Sequence, residues 1–446
     1  MRSTVHHAAS SPVTPPSSPS SVEPEWLLAR RREGVALAET LPLPTAKTRG
    51  WEFTDLAELI EADFELPSAI DPEARSRADA VLNPPEGAQR IVQIDGTALD
   101  GAAETNGGSE SPTEPLVTTL ATAADLYPKL VEEKLGSLVS SDDPFVARND
   151  AAWRGGAFVY VPAGKRLELP AQIAAVHDAN RAAIGFRTLI VLEEGAEAEV
   201  WEQWLASDPD RAGLFNTVTE LFVGPGASLR YVSAQGLGER SWVFATQRAE
   251  LERDATLDWV ALGFGSSRGK VRMDTRLAGA GSHARVTGAY VGDGSQHLDF
   301  DTSQQHAAPS TVSDLAFRGV LGGEATAVWR GIIRVEPGAQ QTDAFQESRN
   351  LLLSKSAHAD AIPGLEIEAD DVRCTHAAAV AQIDAEQVHY LRAHGLSEAE
   401  AKRLVIEGFL EALVERLKEG PIRAAVSVAL ERRLGEILGE RDAAPA

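Results

Sequence analysis

The sequence predicts a mainly β chain whose middle is a solenoid, with helical regions at both ends. Three observations carry this. From Trp153 onward, short alternating runs each follow a Gly or Asp turn, and turn positions 164, 195, 226, 254 and 281 are spaced by 31, 31, 28 and 27 residues. A second β-type run fits inside each period, with no helical pattern between. Before residue 151 and after residue 383 the apolar spacing is instead three to four, the period of a helix face. Near-constant strand spacing is a repeat signature, because one coil cannot bury its apolar face alone whereas stacked coils share a core. A sandwich or a double-stranded β-helix also uses short strands at regular intervals, so the period leaves those open.

The elements follow in order. Residues 1–22 are rich in Ser, Pro, Ala and Thr and carry no apolar run. They read as a disordered tail rather than a secretory or transit segment. Residues 23–150 read as a mostly helical N-terminal region. Its first helix covers Glu23–Thr40, with Trp26, Leu27, Val35 and Leu37, and is stopped by Leu41-Pro42-Leu43-Pro44. Trp51–Leu56 opens a second ordered piece, residues 96–115 read as a loop, and Val117–Val139 returns to a helical period.

The β-solenoid core is expected over 151–383. Its turn-led runs are Gly164–Leu169, Gly195–Val200, Gly226–Tyr231, Asp254–Trp259 and Gly281–Val286. Arg187–Leu192, Asn216–Val223, Val243–Leu251 and Val271–Leu277 supply the second strands. The next turn, at Gly322-Gly323, comes 42 residues after Gly281, which predicts an insertion over Gln296–Pro309. Residues 384–446 read as a C-terminal helical domain. Asp384 with Gln387, and Ser397 with Glu400, have capping-box spacing, and Gly420-Pro421 separates the last two helices. Their broad apolar faces suit either packing on the chain's own core or docking a partner.

Composition narrows the function. A net charge of −24, from 66 acidic against 42 basic residues, repels phosphate backbones and argues against nucleic acid. No apolar stretch is long enough to span a membrane. The single cysteine, Cys374, can make no intrachain disulfide, which fits a reducing compartment such as the cytoplasm. It cannot build a four-thiolate cluster alone. There is no P-loop, since Gly269-Lys270 is followed by Val271, and no G-x-S-x-G, H-E-x-x-H or Cys-x-x-Cys. A carbohydrate-active β-helix enzyme would need carboxylates in one register across coils, and no such repeat is present.

The candidate chemistry is Cys374-Thr375-His376. On a strand both outer members face the same way, and thiolate and imidazole suit iron, zinc or copper. The bland alternative is a free cysteine packed as a small hydrophobe. His306 falls in the expected polar insertion and His358 beside a turn. His177, His283 and His297 are isolated, and His389 and His394 flank Tyr390, so each suits surface or local hydrogen bonding.

Four segments carry a resemblance. DTSQQHAAPSTVSDLAFRGVL (301–321), TDAFQESRNLLLS (342–354) and ADAIPGLEIEADDVRCTHAAAVAQIDAEQVHYLRAHGL (359–396) closely resemble the SufB/SufD family of iron–sulfur cluster assembly scaffolds. TRGWEFTDL (48–56) is similar to that family's N-terminal W-R-Y-T-D-L segment. The form C-x-H-A-A-A-V-A-Q-I-D resembles the SufD branch, whereas the SufB branch, the alternative, carries functional cysteines this chain lacks.

The resemblance implies a right-handed parallel β-helix and a non-enzymatic scaffold in the SUF complex. It implies pairing with a SufB-type paralogue through the β-helix end, and a homodimer when the chain is alone. It implies docking of a SufC-type ABC ATPase on the C-terminal helices, for which Leu404, Phe409, Leu410 and Leu413 are the candidate contacts. His376, with Cys374 as the weaker candidate, would bind a nascent Fe–S cluster shared with the partner. No cofactor would be stably held by this chain alone. A purely structural subunit remains the other reading of the resemblance.

Overall fold

The computed structural model describes residues 23–61, 63–67, 70–82, 87–100 and 110–438. The expected tail at 1–22 lies outside these residues. The N-terminal region contains helices α1 (Glu25–Thr40), α2 (Ala57–Glu61) and α3 (Ala74–Val81), then strands β1 (Gln89–Ile94), β2 (Thr97–Asp100) and β3 (Leu116–Thr119). Helices α4 (Leu120–Leu126), α5 (Pro128–Lys134) and α6 (Pro144–Ala152) complete it. The single helical run expected over Val117–Val139 is therefore divided. Its first residues, Val117-Thr-Thr119, are β-branched and pair with the next strand. Pro128, which cannot continue a helical ladder, begins a new helix at its first position. The expected loop at 96–115 holds β2, which forms a hairpin with β1.

The solenoid strands are β4 (Gly155–Val161), β5 (Ala171–His177), β6 (Ala182–Leu192), β7 (Glu197–Ala206), β8 (Ala212–Val223) and β9 (Ser228–Gly236). They continue with β10 (Arg240–Leu251), β11 (Thr256–Gly263), β12 (Arg268–Leu277), β13 (His283–Gly292) and β14 (His297–His306). The last are β15 (Val312–Leu321), β16 (Thr326–Val335), β17 (Thr342–Leu352), β18 (His358–Ile367) and β19 (Val372–Gln382). They alternate between two sheets. A ten-stranded sheet runs β19-β17-β15-β13-β11-β9-β7-β5-β1-β2, and a nine-stranded sheet runs β18-β16-β14-β12-β10-β8-β6-β4-β3. From β4 onward every pairing is parallel and joins alternate strands, so each coil gives one strand to each sheet. The chain is a β-solenoid of about 8 turns. Its two sheets also take in β1 and β3 from the region expected to be mostly helical.

The corners explain the period. Gly164, Gly195, Gly226, Asp254, Gly281, Ser310 and Gln341 all have left-handed φ between 57° and 74°. The backbone N–H of each donates to the corner one coil on, from Gly164 to Glu194 O through Gln341 to Asp371 O. The insertion expected at Gln296–Pro309 is absent: this stretch holds the regular strand β14 and the turn leading to Ser310. That corner is only 29 residues past Gly281, and it escapes a search for Gly or Asp because a serine takes the strained conformation there. The Gly164–Leu169 run is also no strand. Only Arg166 bridges, to Glu197, through the Leu167 N–H to Glu197 O and the Glu197 N–H to Lys165 O.

The inner faces form one continuous core, in which Tyr290 stacks on Phe300 with ring centroids 5.4 Å apart and Phe317 lies 6.2 Å from Trp329. Within the N-terminal region, α3 packs Ala74 and Ala78 against Ile94 and Val176 of the ten-stranded sheet, while the segment from Trp51 and α6 covers the outside of the nine-stranded one. Trp51 stacks on Phe145 and Phe145 on Phe244, at 5.2 and 4.0 Å. Thr54 Oγ1 donates to Asp299, which also pairs with the buried Lys270 at 2.8 Å.

After β19 come α7 (Ala385–Ala393), α8 (Glu398–Val414) and α9 (Pro421–Ile437). Ser397 and Glu400 form the expected capping box. Asp384 caps α7 by accepting from the Glu386 N–H. Pro421 opens α9 directly after Gly420, at φ 147°. Helices α8 and α9 lie on the outside of the ten-stranded sheet, where Ile406, Leu410, Leu413, Val426 and Leu430 cover Trp201, Val232, Val260 and Val291.

Candidate functional site

Every inner coil has a coil above and below it, but β18 and β19 do not. Each is the last strand of its sheet, so one edge of each backbone is unpaired by any other described strand. Their residues are correspondingly open, with Ile362, Ile367 and Val380 among the exposed large apolar side chains. Pro363 interrupts the donor row of β18, which blunts that edge.

Cys374 and His376 both lie on β19, in register with Ala344 and Gln346 of β17. Their α-carbons are about 6.6 Å apart along the strand, and both occupy the column set that faces inward in the coils below. Their environments differ. Cys374 is half-buried and packs with Ile333, Val335, Ala339, Ala344, Leu365 and Val372. Burial, and then the Asp343 carboxylate, push its thiol above the ordinary value, which disfavours the thiolate. His376 is exposed and has no hydrogen-bond or ion-pair partner among the described residues. It is an imidazole at the mouth of the core column.

Among the described residues no group of three or more His, Cys, Asp or Glu is placed to hold a metal ion. Two side chains on one edge strand supply at most two ligands, so a cluster bound here needs donors from a second surface.

The remaining histidines are elsewhere. His306 is not in a polar insertion: it is fully buried at the end of β14, hydrogen-bonded to Thr311 and Ser313 at 2.7 and 2.9 Å. His297 is half-buried against Thr54 and Thr326, and His177 binds the Ala179 carbonyl at 2.7 Å. His358 faces Asp360 and His394 binds the Tyr390 carbonyl.

The four candidate ATPase contacts are split. Leu410 and Leu413, 3% and 1% exposed, are buried against the chain's own sheet. Phe409 is half-buried beneath the Arg318 guanidinium, 5.7 Å from its ring centroid. Only Leu404 faces outward, 50% exposed, as does Val428 of α9, which the apolar pattern alone did not separate from its buried neighbours. No helix among the described residues is long and apolar enough to cross a membrane.

Comparison with known proteins agrees with this architecture. Residues 175–409 match the family model for the SUF system FeS cluster assembly SufBD core domain, and residues 20–173 match that for the SufBD protein N-terminal region. The chain is 32% identical over 424 residues to the iron–sulfur cluster assembly protein SufD of Bacillus subtilis, covering 92% of this chain and 95% of that one. It is 26% identical to iron–sulfur cluster assembly SufBD family proteins of Staphylococcus haemolyticus and Staphylococcus aureus, each match covering 91% of this chain and 88% of the relative. A two-sheet solenoid ending in an open Cys-x-His strand, matched along nearly its whole length, places the chain in the SufBD family of iron–sulfur cluster assembly proteins.

Proposed function

We propose that this chain is a scaffold subunit, itself non-enzymatic, on which a SUF complex builds Fe–S clusters in the cytoplasm. A SufB-type paralogue covers the open end formed by β18 and β19. A SufC-type ABC ATPase docks on the outward face of α8 and α9 at Leu404, supplying the nucleotide hydrolysis for which this chain has no P-loop. The nascent cluster is cargo, not a resident cofactor. His376 is one of its ligands at the shared interface, and Cys374 joins only if its apolar pocket opens.

The observation that carries this reading is the position of His376. Among the described residues it is an unpartnered, exposed imidazole on a strand with no neighbour on its outer edge. A second subunit seated there would desolvate the exposed apolar residues and bring the missing ligands to the ring.

Purification of the tagged full chain from its native cell should recover a SufB-type paralogue and a SufC-type ATPase. Recovery of neither refutes the scaffold role. His376→Ala should leave that complex intact and abolish cluster assembly in cells. Normal cluster delivery by this variant would instead assign the chain a purely structural part.

A further inference from the structure

The outer face of the nine-stranded sheet carries a cleft of about 300 Å³, at the lower end of the size of small-molecule sites. Arg248, Asp274 and Ser303 stand opposite one another on β10, β12 and β14. Two residues further along, Arg276, Gln305 and Arg334 do the same across β12, β14 and β16. All six line the cleft. Ala249, Met273 and Leu277, which alternate with them, belong to the inner core, so the lining side chains point outward.

Most of the charge here is already matched. Arg276 pairs with Glu250 at 3.0 Å and Arg334 with Glu366 at 2.5 Å. Gln305 Nε2 donates to Glu336 at 2.5 Å, and Arg272, beside the cleft, is held by Asp143 at 2.5 Å. Two charges are left over. Arg248 and Asp274 are half-buried, and neither has a hydrogen-bond or ion-pair partner among the described residues. The same is true of the Ser303 hydroxyl. Burial raises the Asp274 carboxyl above its usual value, and the nearby Arg272 and Arg248 charges only partly oppose this. A half-buried charge without a partner is costly, so each group gains from a ligand that supplies the opposite sign.

We propose that this cleft binds a small polar α-amino acid as its zwitterion. The ligand carboxylate takes the planar fork of Arg248, and the ligand ammonium takes the Asp274 carboxylate. An α-amino acid carries both charges on one carbon, so its two partners must stand side by side. Opposite residues on adjacent strands do so, at about 4.8 Å between strands. A simple anion would leave Asp274 unmatched and be repelled by it, and a simple cation would meet the same difficulty at Arg248. Every lining side chain is polar, which admits a polar ligand side chain and gives an aliphatic one nothing to pack on. The site shares no residue with Cys374 and His376, so its occupancy is independent of cluster binding.

The test titrates L-serine into the full chain at pH 7, by calorimetry and by the rise in melting temperature. Ethanolamine is the same molecule without its carboxylate, 3-hydroxypropionate lacks the ammonium, and L-leucine keeps both charges with an aliphatic side chain. Serine should bind, and each comparator should bind roughly 10–100-fold more weakly. Arg248→Gln and Asp274→Asn should each weaken serine by a similar factor while the ligand-free melting temperature stays native.

Serine binding untouched by both substitutions would put the ligand elsewhere and overturn the assignment. Equally tight 3-hydroxypropionate, insensitive to Asp274→Asn, would make the cleft an anion site and overturn the zwitterion. Leucine matching serine would overturn the polar preference. Neither heat nor a thermal shift with serine at about 10 mM, together with a lowered melting temperature in both variants, would mean that Arg248 and Asp274 serve only to neutralise each other, and would overturn the site altogether.

Discussion

Acidification should destabilise this solenoid through His306. The ring is fully buried, and burial alone pulls its pKa from the usual 6.5 down to about 4. The hydrogen bonds show which form is held. Thr311 donates its own proton to Ala308 O, so it accepts from Nδ1–H, leaving Nε2 to accept from the Ser313 hydroxyl. A second ring proton would face that Ser313 hydroxyl hydrogen. The unfolded chain therefore takes up a proton near pH 6.5, while the folded chain resists until about pH 4. The stability held by neutral His306 is complete above pH 6.5 and is lost as pH falls through that window. At about 1.4 kcal/mol per pKa unit, the loss by pH 4 is about 3 kcal/mol. Urea unfolding of the full chain at pH 7, 6, 5 and 4 measures it, with His306→Gln as the non-titrating control. Other buried groups titrate in both proteins, so the difference between the two pH profiles is the quantity to read. Parallel profiles would refute the reasoning.

Two further outcomes follow from packing. Leu413→Ala, on the face of α8 buried against the solenoid, should cost about 2–5 kcal/mol in denaturant unfolding. Leu404→Ala should change stability by no more than about 0.5 kcal/mol while weakening capture of the ATPase subunit. Equal stability effects would mean the helix is rotated from the orientation described. Gly288→Ala should destabilise the middle coils by about 1–3 kcal/mol, because its Cβ would meet the Phe317 ring at 2.2 Å; an unchanged melting temperature would contradict the inward placement of that column.

Much of the fold was legible in the chain because a solenoid repeats its chemistry. Gly195, Gly226, Asp254 and Gly281 mark corners, and the alternating runs after them are β7, β9, β11 and β13. The register failed where the corner chemistry changed. Ser310 and Gln341 take the left-handed conformation without being Gly or Asp, since the corner-to-corner hydrogen bonds of the stack impose it. The N-terminal region misled for a similar reason: a helical apolar period cannot register that Leu116–Thr119 finds β4 as a partner.

The Cys374–His376 pair, its spacing and its place at the change from strand to helix were determined by sequence alone, because strand alternation is a local property. Tertiary structure decided which of the two is available. Cys374 falls into the Ile333–Leu365 pocket, whereas His376 is left open, because no further described strand stacks on β19. The same stacking buried Leu410 and Leu413 and left Leu404 outside. It also set Gln346, 30 residues earlier in the chain, directly beneath His376. That neighbour relation arises from strand register between coils, which depends on the length of every intervening turn and is written in no single stretch of residues.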